Sequence, residues 1–272
     1  MSCLWDSVAS VSARTGAGLH DRGPSVELSE LQRGSLFGAA LESFRGRSVL
    51  IATNAQLPTA LALIELDGVA RRLVLCTPDL TAEQLAAVAA TAQADAMVLE
   101  ADSPVTAPSG LRPYVLASRP SRGPMERRTS AATEWILLTS GTTGMPKLVV
   151  HTFQSLAGAL PTQPPSASRP VWSTFYDIRR YGGLQIYLRA VLSGSALVLS
   201  SAGEATRDFL ARAAAAGVTH ISGTPSHWRR VLMSGEARIL DLRYVRLSGE
   251  VADQPVLDNL RTAFPWMRTR VR

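Results

Sequence analysis

The chain has 272 residues, 46% of them hydrophobic and 18% charged, which is the composition of a globular protein able to bury a substantial core. No run approaches the roughly 18 apolar residues of a membrane span, and residues 1–22 lack the basic-then-apolar order of a secretory leader, so a cytoplasmic protein with no membrane partner is expected. The net charge of +6 comes from arginines scattered along the chain, not interleaved with aromatics, so solvated surface charge rather than nucleic-acid binding is expected.

In chain order, Cys3 and Cys76 lie far apart without metal-ligand spacing and read as free thiols. Ser48–Thr53 is a short apolar run suited to a buried strand, and Leu57–Leu66 reads as helix with Pro58 in its first turn. Arg72–Thr77 is a second strand. Thr81 and Gln84 fit a capping box that opens an alanine-rich helix to about Ala92, and Ala96–Glu100 is a third strand. Strand alternating with helix implies parallel pairing through helical crossovers. A Pro/Ser/Arg-rich connection follows, with one strand expected at Tyr114–Ala117. The pattern then resumes with strands at Trp135–Thr139 and Lys147–His151 and a proline-rich loop at Pro161–Pro170. Beyond it come a helix at Thr206–Ala215 capped by Gly217, a strand at Val218–Ser222, a helix at Ser226–Met233, a strand at Leu242–Leu247 and a helix at Asp253–Phe264. The expected fold is α/β, with layered sheets of mostly parallel strands flanked by helices. Its expected organisation is a first lobe over 1–101, a connection over 102–132 and a second lobe over 133–272.

The stretch Thr139-Ser-Gly-Thr-Thr-Gly-Met-Pro-Lys147 carries chemistry. Gly141 and Gly144 let backbone amides converge on one anion, Ser140, Thr142 and Thr143 add hydroxyl donors, and Lys147 adds a point charge. The nucleotide P-loop of kinases is excluded by spacing. Two residues, not four, separate the glycines, Pro146 precedes the lysine, and a strand rather than a helix follows.

This stretch resembles the phosphate-loop motif of the adenylate-forming superfamily, which includes acyl- and aryl-CoA synthetases, peptide-synthetase adenylation domains and luciferases. Ser140, Gly141, Thr142, Thr143, Gly144, Pro146 and Lys147 match its fixed positions, a coincidence of about 10⁻⁸ per starting position at ordinary residue frequencies. Weaker similarity extends over Val26–Leu31, Ser48–Glu100, Tyr176–Leu192, Gly223–Ser226 and Ser248–Glu250. The resemblance implies the N-terminal portion of such an enzyme. Its reaction would join a carboxylic acid to ATP as an acyl-adenylate and then pass the acyl group to a thiol, coenzyme A or a carrier protein. Thr139–Gly144 with Lys147 would hold the phosphates, Mg²⁺ would share their charge, and Ser248, Gly249 and Glu250 would lie against adenine. Tyr176 or Tyr181, with Gly182, His220 and Gly223, would border the acid pocket.

His151 shares a strand face with Lys147 and is a second catalytic candidate, with a structural histidine as the rival reading. Arg179 and Arg180 are expected to face solvent, and Trp172, Phe175 and Trp228 to be core. An organic acid is preferred to an amino acid, because no aspartate other than Asp177 is placed for an amine. The family's later aromatic-Gly-X-Thr-Glu turn, its ribose-binding aspartate and its mobile-domain lysine find no match here. Little activity is therefore expected from these residues alone. A fragment of a longer enzyme, one piece of a split ligase completed by a second chain, and a non-catalytic nucleotide- or acyl-binding remnant remain open, with a completing chain, or a second copy of this chain in a homo-oligomer, as the expected partner.

Overall fold

The structure is a computed structural model that describes residues 3–12, 16–122, 132–139, 144–158, 160, 169–266 and 268–271. Helix α1 (Leu4–Val11) leads into the hairpin β1 (Gly18–His20) and β2 (Ser25–Glu27), then the single turn α2 (Leu28–Leu31) and β3 (Gly34–Ser35). There follow β4 (Ser48–Ile51), α3 (Gln56–Leu66), β5 (Arg72–Leu75), α4 (Ala82–Thr91), β6 (Ala96–Leu99), β7 (Arg112–Val115) and β8 (Ser121–Arg122). The hairpin β9 (Glu134–Thr139) and β10 (Lys147–Thr152) precedes α5 (Phe153–Ala157), β11 (Val171–Thr174), α6 (Tyr181–Ser193), β12 (Ala196–Val198) and α7 (Thr206–Ala215). The last elements are β13 (His220–Gly223), α8 (Pro225–Met233), β14 (Tyr244–Leu247), α9 (Gln254–Ala263) and β15 (Arg268–Val271).

Two sheets result. One runs β15-β14-β13-β11-β12-β1-β2 and is parallel except for the β1–β2 hairpin. The other runs β10-β9-β5-β4-β6-β7 and is parallel except for β9–β10. The expected lobes, 1–101 and 133–272, each supply strands to both sheets: β1 and β2 cross to the larger sheet, β9 and β10 to the smaller. The connection over 102–132 holds more order than expected. Its strand begins earlier, at Arg112, and β8 pairs with β3.

Helices α3 and α6 belong to the largest apolar cluster, which reaches both sheets. Every residue of α3 except Pro58 is buried, so it lacks the polar face of a surface helix. The buried acids nearby are satisfied by donors: Asp67 accepts from the Leu4 amide at 2.6 Å and from Trp135 Nε1 at 2.7 Å, and Glu65 from Ser35 Oγ and the Leu36 amide. Helix α4 covers the outer face of the smaller sheet with Leu85, Val88 and Ala89. Its predicted capping box forms, Thr81 and Gln84 bonding each other's amides at 3.0 and 3.1 Å. Gly217 closes α7 with φ +68°, as expected. Both cysteines are buried free thiols, and burial pushes Cys3 up to about 11 and Cys76 up to about 12. Among the described residues, no helix is long and apolar enough to cross a membrane.

One expectation is overturned. Arg179 does not face solvent; its side chain is 1% exposed, while that of Arg180 is 49% exposed beside Asp79. The Arg179 guanidinium grips the Asp177 carboxylate through Nε and Nη2 and donates to the carbonyls of Thr53 and Asn54. It is buried because five donors in a planar fork find enough acceptors to replace water. Gln56 runs beside it, accepting from the Ile178 amide and donating to the Ser200 carbonyl. Together these side chains tie the loop after β4 to the loops after β11 and β12.

Replacing Arg179 with Met leaves a partly buried carboxylate and two carbonyls without their donor. Urea unfolding should show a loss of about 3 kcal/mol or more; a loss within error would contradict this account of the brace.

Candidate functional site

Parallel strands gather their C-terminal ends on one edge of a sheet, where loops and helix N-termini can meet a ligand. On that edge of the larger sheet, Tyr176 follows β11, Gly223 ends β13, and Ser248-Gly249-Glu250 follows β14. The Tyr176 hydroxyl donates to the Ser248 carbonyl at 2.6 Å and lies 3.1 Å from Ser248 Oγ. Burial pushes the Tyr176 hydroxyl up, against the pull of its Ser248 bond, so it stays a neutral donor at neutral pH. A Cβ on Gly182 would touch the Tyr176 ring at 3.6 Å, and one on Gly249 would lie 3.7 Å from the Tyr176 hydroxyl. Gly183 has no alternative residue, since a Cβ there would sit 2.2 Å from the Asp177 carbonyl oxygen. The start of α6 therefore packs directly on the chain that carries Tyr176 and Arg179.

The smaller sheet brings the phosphate-loop hairpin. Thr139 pairs with Lys147 across β9 and β10, which closes a loop containing Ser140, Gly141, Thr142 and Thr143. Those four residues lie outside the described residues. The end of the loop is tethered: Gln84, already part of the α4 capping box, donates its side-chain amide to the Gly144 carbonyl at 2.8 Å. Gly144 has φ +78°, a conformation that favours glycine. Register sets Lys147, Val149 and His151 beside Thr139, Leu137 and Trp135, so Lys147 and His151 share one strand face. The His151 ring lies 5.9 Å from that of Tyr181, the first residue of α6. A chain of contacts thus runs from β10 through His151, Tyr181, Gly182 and Tyr176 to Ser248. The two tyrosines divide the edge, Tyr176 toward β14 and Tyr181, half exposed, toward β10.

Glu250 accepts from the Ser226 hydroxyl at 2.6 Å and the Ser226 amide at 3.0 Å, bonds that hold its carboxyl below the usual range. Among the described residues, no group of three or more His, Cys, Asp or Glu could hold a metal ion.

His220 is not at this edge. It begins β13, at the opposite end from Gly223, and its ring lies 4.7 Å from Trp172 and 5.4 Å from Tyr244. The expectation that Trp172 and Trp228 are core holds, both being buried. Phe175 is half-buried and stacks on His227 at 5.2 Å with the rings 9° from parallel. His227 also meets the Tyr176 ring edge-on at 5.9 Å. The Thr224 amide donates to His227 Nδ1, so the neutral ring carries its proton on Nε2. Sequence reading passed over His227, the bond from Gln84 to Gly144 and the burial of Arg179. The pair Thr224 and His227, three apart at a helix start, was the one local signal available.

The chain belongs to the AMP-binding enzyme family, whose model matches residues 50–271. No curated protein sequence matches it. Solved structures share the fold. CmiS6 aligns at 19% identity with a TM-score of 0.76, over 99% of this chain and 70% of that one. The N-terminal subdomain of Klebsiella oxytoca NpsA, in complex with 3-hydroxybenzoyl-AMSN, aligns at 16% identity with a TM-score of 0.74, over 100% and 71%. An E. coli MenE variant with bound OSB-AMS aligns at 19% identity with a TM-score of 0.76, over 100% and 59%. The fold is that of the N-terminal domain of adenylate-forming enzymes.

Burial, with Arg243 and Arg189 nearby, pushes the His220 imidazole down to about 4, against 6.5 for the free side chain. The unfolded chain therefore binds more protons between these values, and stability should be lost as pH falls from 6.5 toward 4. His220→Phe should flatten that part of the stability profile measured by urea unfolding; an unchanged slope would remove the histidine from the account.

Proposed function

We propose that this chain binds ATP and forms the nucleotide- and acid-binding part of an enzyme that activates a carboxylic acid as its acyl-adenylate, which a thiol of coenzyme A or a carrier protein then accepts. The observation that carries this reading is the hairpin closed by Thr139 and Lys147, which is linked through His151 and Tyr181 at the start of α6 to the strand edge where Tyr176 bonds Ser248. Family membership supports ATP use. The acid, the thiol and the residue roles are the proposal.

A carboxylate oxygen attacks the α-phosphorus, the new O–P bond forms, and the bond to the bridging oxygen breaks to release pyrophosphate. No proton need move. The barrier is dominated by phosphate charge and alignment, which are answered by amides, hydroxyls and a cation in place beforehand. Thr139, Ser140, Gly141, Thr142, Thr143 and Gly144 would supply donors to the β- and γ-phosphates, and Lys147 the charge. His151 would stand behind Lys147 on the same strand face. Ser248, Gly249 and Glu250 would receive the adenine, since Gly249, at φ +85°, leaves their backbone uncovered. Tyr176, fixed to the Ser248 carbonyl, would form the wall between nucleotide and acid. Mg²⁺ would arrive with the nucleotide's phosphates, and no step here is assigned to it.

Two measurements test this. Lys147→Ala should weaken ATP binding in calorimetry about tenfold to hundredfold, the worth of a charged hydrogen bond; undiminished binding would sink the assignment. The 272 residues hold no match to the family's metal-binding glutamate turn or its mobile-domain lysine. Acid-dependent exchange of labelled pyrophosphate into ATP should accordingly stay near background for this chain alone and rise when a chain supplying those groups is added. Brisk exchange without any addition would refute that dependence.

A further inference from the structure

Resting on the reading above, the next question is which acid the cleft takes. The charges around Tyr176 are informative. Two carboxylates stand there, and both are engaged: Asp177 by the buried Arg179 guanidinium, Glu250 by Ser226. An α-ammonium group would find neither free. Arg246 differs. It lies on β14 two residues before Ser248, is half-buried, and makes no hydrogen bond or ion pair with any described residue.

The strand pattern shows which way Arg246 faces. Val245 and Leu247 are buried in the apolar cluster with Trp228, Val256 and Leu260, so Arg246 projects from the opposite face. Register places it beside Ser222, and through Ser222 beside Thr174. One level further from the edge, Trp172, His220 and Tyr244 fill the same face with packed rings. At the level of Arg246 the neighbours toward the sheet centre are the short hydroxyl side chains of Ser222 and Thr174, with the Tyr176–Ser248 bond above, and on the other side the register places Arg270 of β15, a second cationic residue. The Arg246 charge is felt at the Tyr176 hydroxyl more strongly than that of Glu250.

A half-buried cation with no counter-charge among the described residues is costly unless a ligand supplies one. The carboxylate being activated cannot be that partner, because it loses its charge on joining phosphorus. The phosphates are assigned to the β9–β10 hairpin on the other sheet. What remains is a second anionic group on the acid, reaching about 7 Å further in than Ser248 at two residues of strand rise. We infer that Arg246 is a specificity-determining residue that selects a dicarboxylic acid by pairing its distal carboxylate. The planar guanidinium suits that group, since it can grip both oxygens at once.

The test is calorimetry on the ATP-saturated chain, comparing short dicarboxylic acids, aliphatic and aromatic, each with its own monomethyl ester. At least one diacid should bind about tenfold to hundredfold more tightly than its ester. That ratio should fall to about one in Arg246→Met and be partly kept in Arg246→Lys. ATP affinity is the internal reference, and Arg246→Gln replaces the Met variant should that one not fold. No diacid preferred over its ester while ATP binds, or a preference that survives in the Met variant, overturns this inference and leaves the nucleotide reading standing. ATP that does not bind brings both down.

Discussion

The site depends on a charge held where water cannot reach it. A guanidinium placed inside a protein must find acceptors for its donors, and Arg179 finds them in two segments that belong to different sheets. Once Thr53 and Asn54 on one side and Asp177 on the other are bound to the same group, the loops after β4 and β11 lose the freedom to drift apart. The close approach of Gly183 to Asp177 then sets where α6 begins, and with it Gly182, Tyr181 and the ring of Tyr176. A packing constraint on residues that touch no substrate thus positions those that face the cleft.

The architecture divides the labour between the sheets. The smaller sheet presents the hairpin with Lys147 and His151, and the larger presents Tyr176, Ser248 and Gly249 from the ends of parallel strands. The two sheets share one apolar cluster built around α3 and α6, so the hairpin and the strand ends are held at a fixed relation to each other. Gln84 adds a link: a residue that caps a helix also anchors the end of the β9–β10 loop at Gly144, so the loop's exit is part of the scaffold.

Much of this was legible in the chain. The apolar runs at 48–53, 72–77 and 135–139 became strands, because four to six consecutive apolar residues satisfy both faces of a central strand. The Thr81 capping box and the Gly217 cap formed as local chemistry requires. The segments missed include α1, the hairpin β1–β2, α5, β11, β12, β15 and the 13-residue helix α6. Most of these elements are short and their places depend on distant partners, as β1 lies between β2 and β12, some 180 residues further along; α6 is long but mostly buried, so it lacks the one-sided apolar stripe of a surface helix.

The sequence by itself determined the strand–helix alternation, the motif from Thr139 to Lys147 and hence the family, because those signals are local: periodicity, caps, and donor spacing along a few residues. The tertiary structure decided which of two tyrosines reaches Ser248, that His220 stands at the far end of its strand, that Arg179 is buried and that Arg246 lies on the strand face opposite Val245 and Leu247. Each of those outcomes turns on which strands are neighbours and in what register. Pairing between residues separated by 50 to 150 positions leaves no periodic trace in the chain; it is set only when the sheets close around α3 and α6.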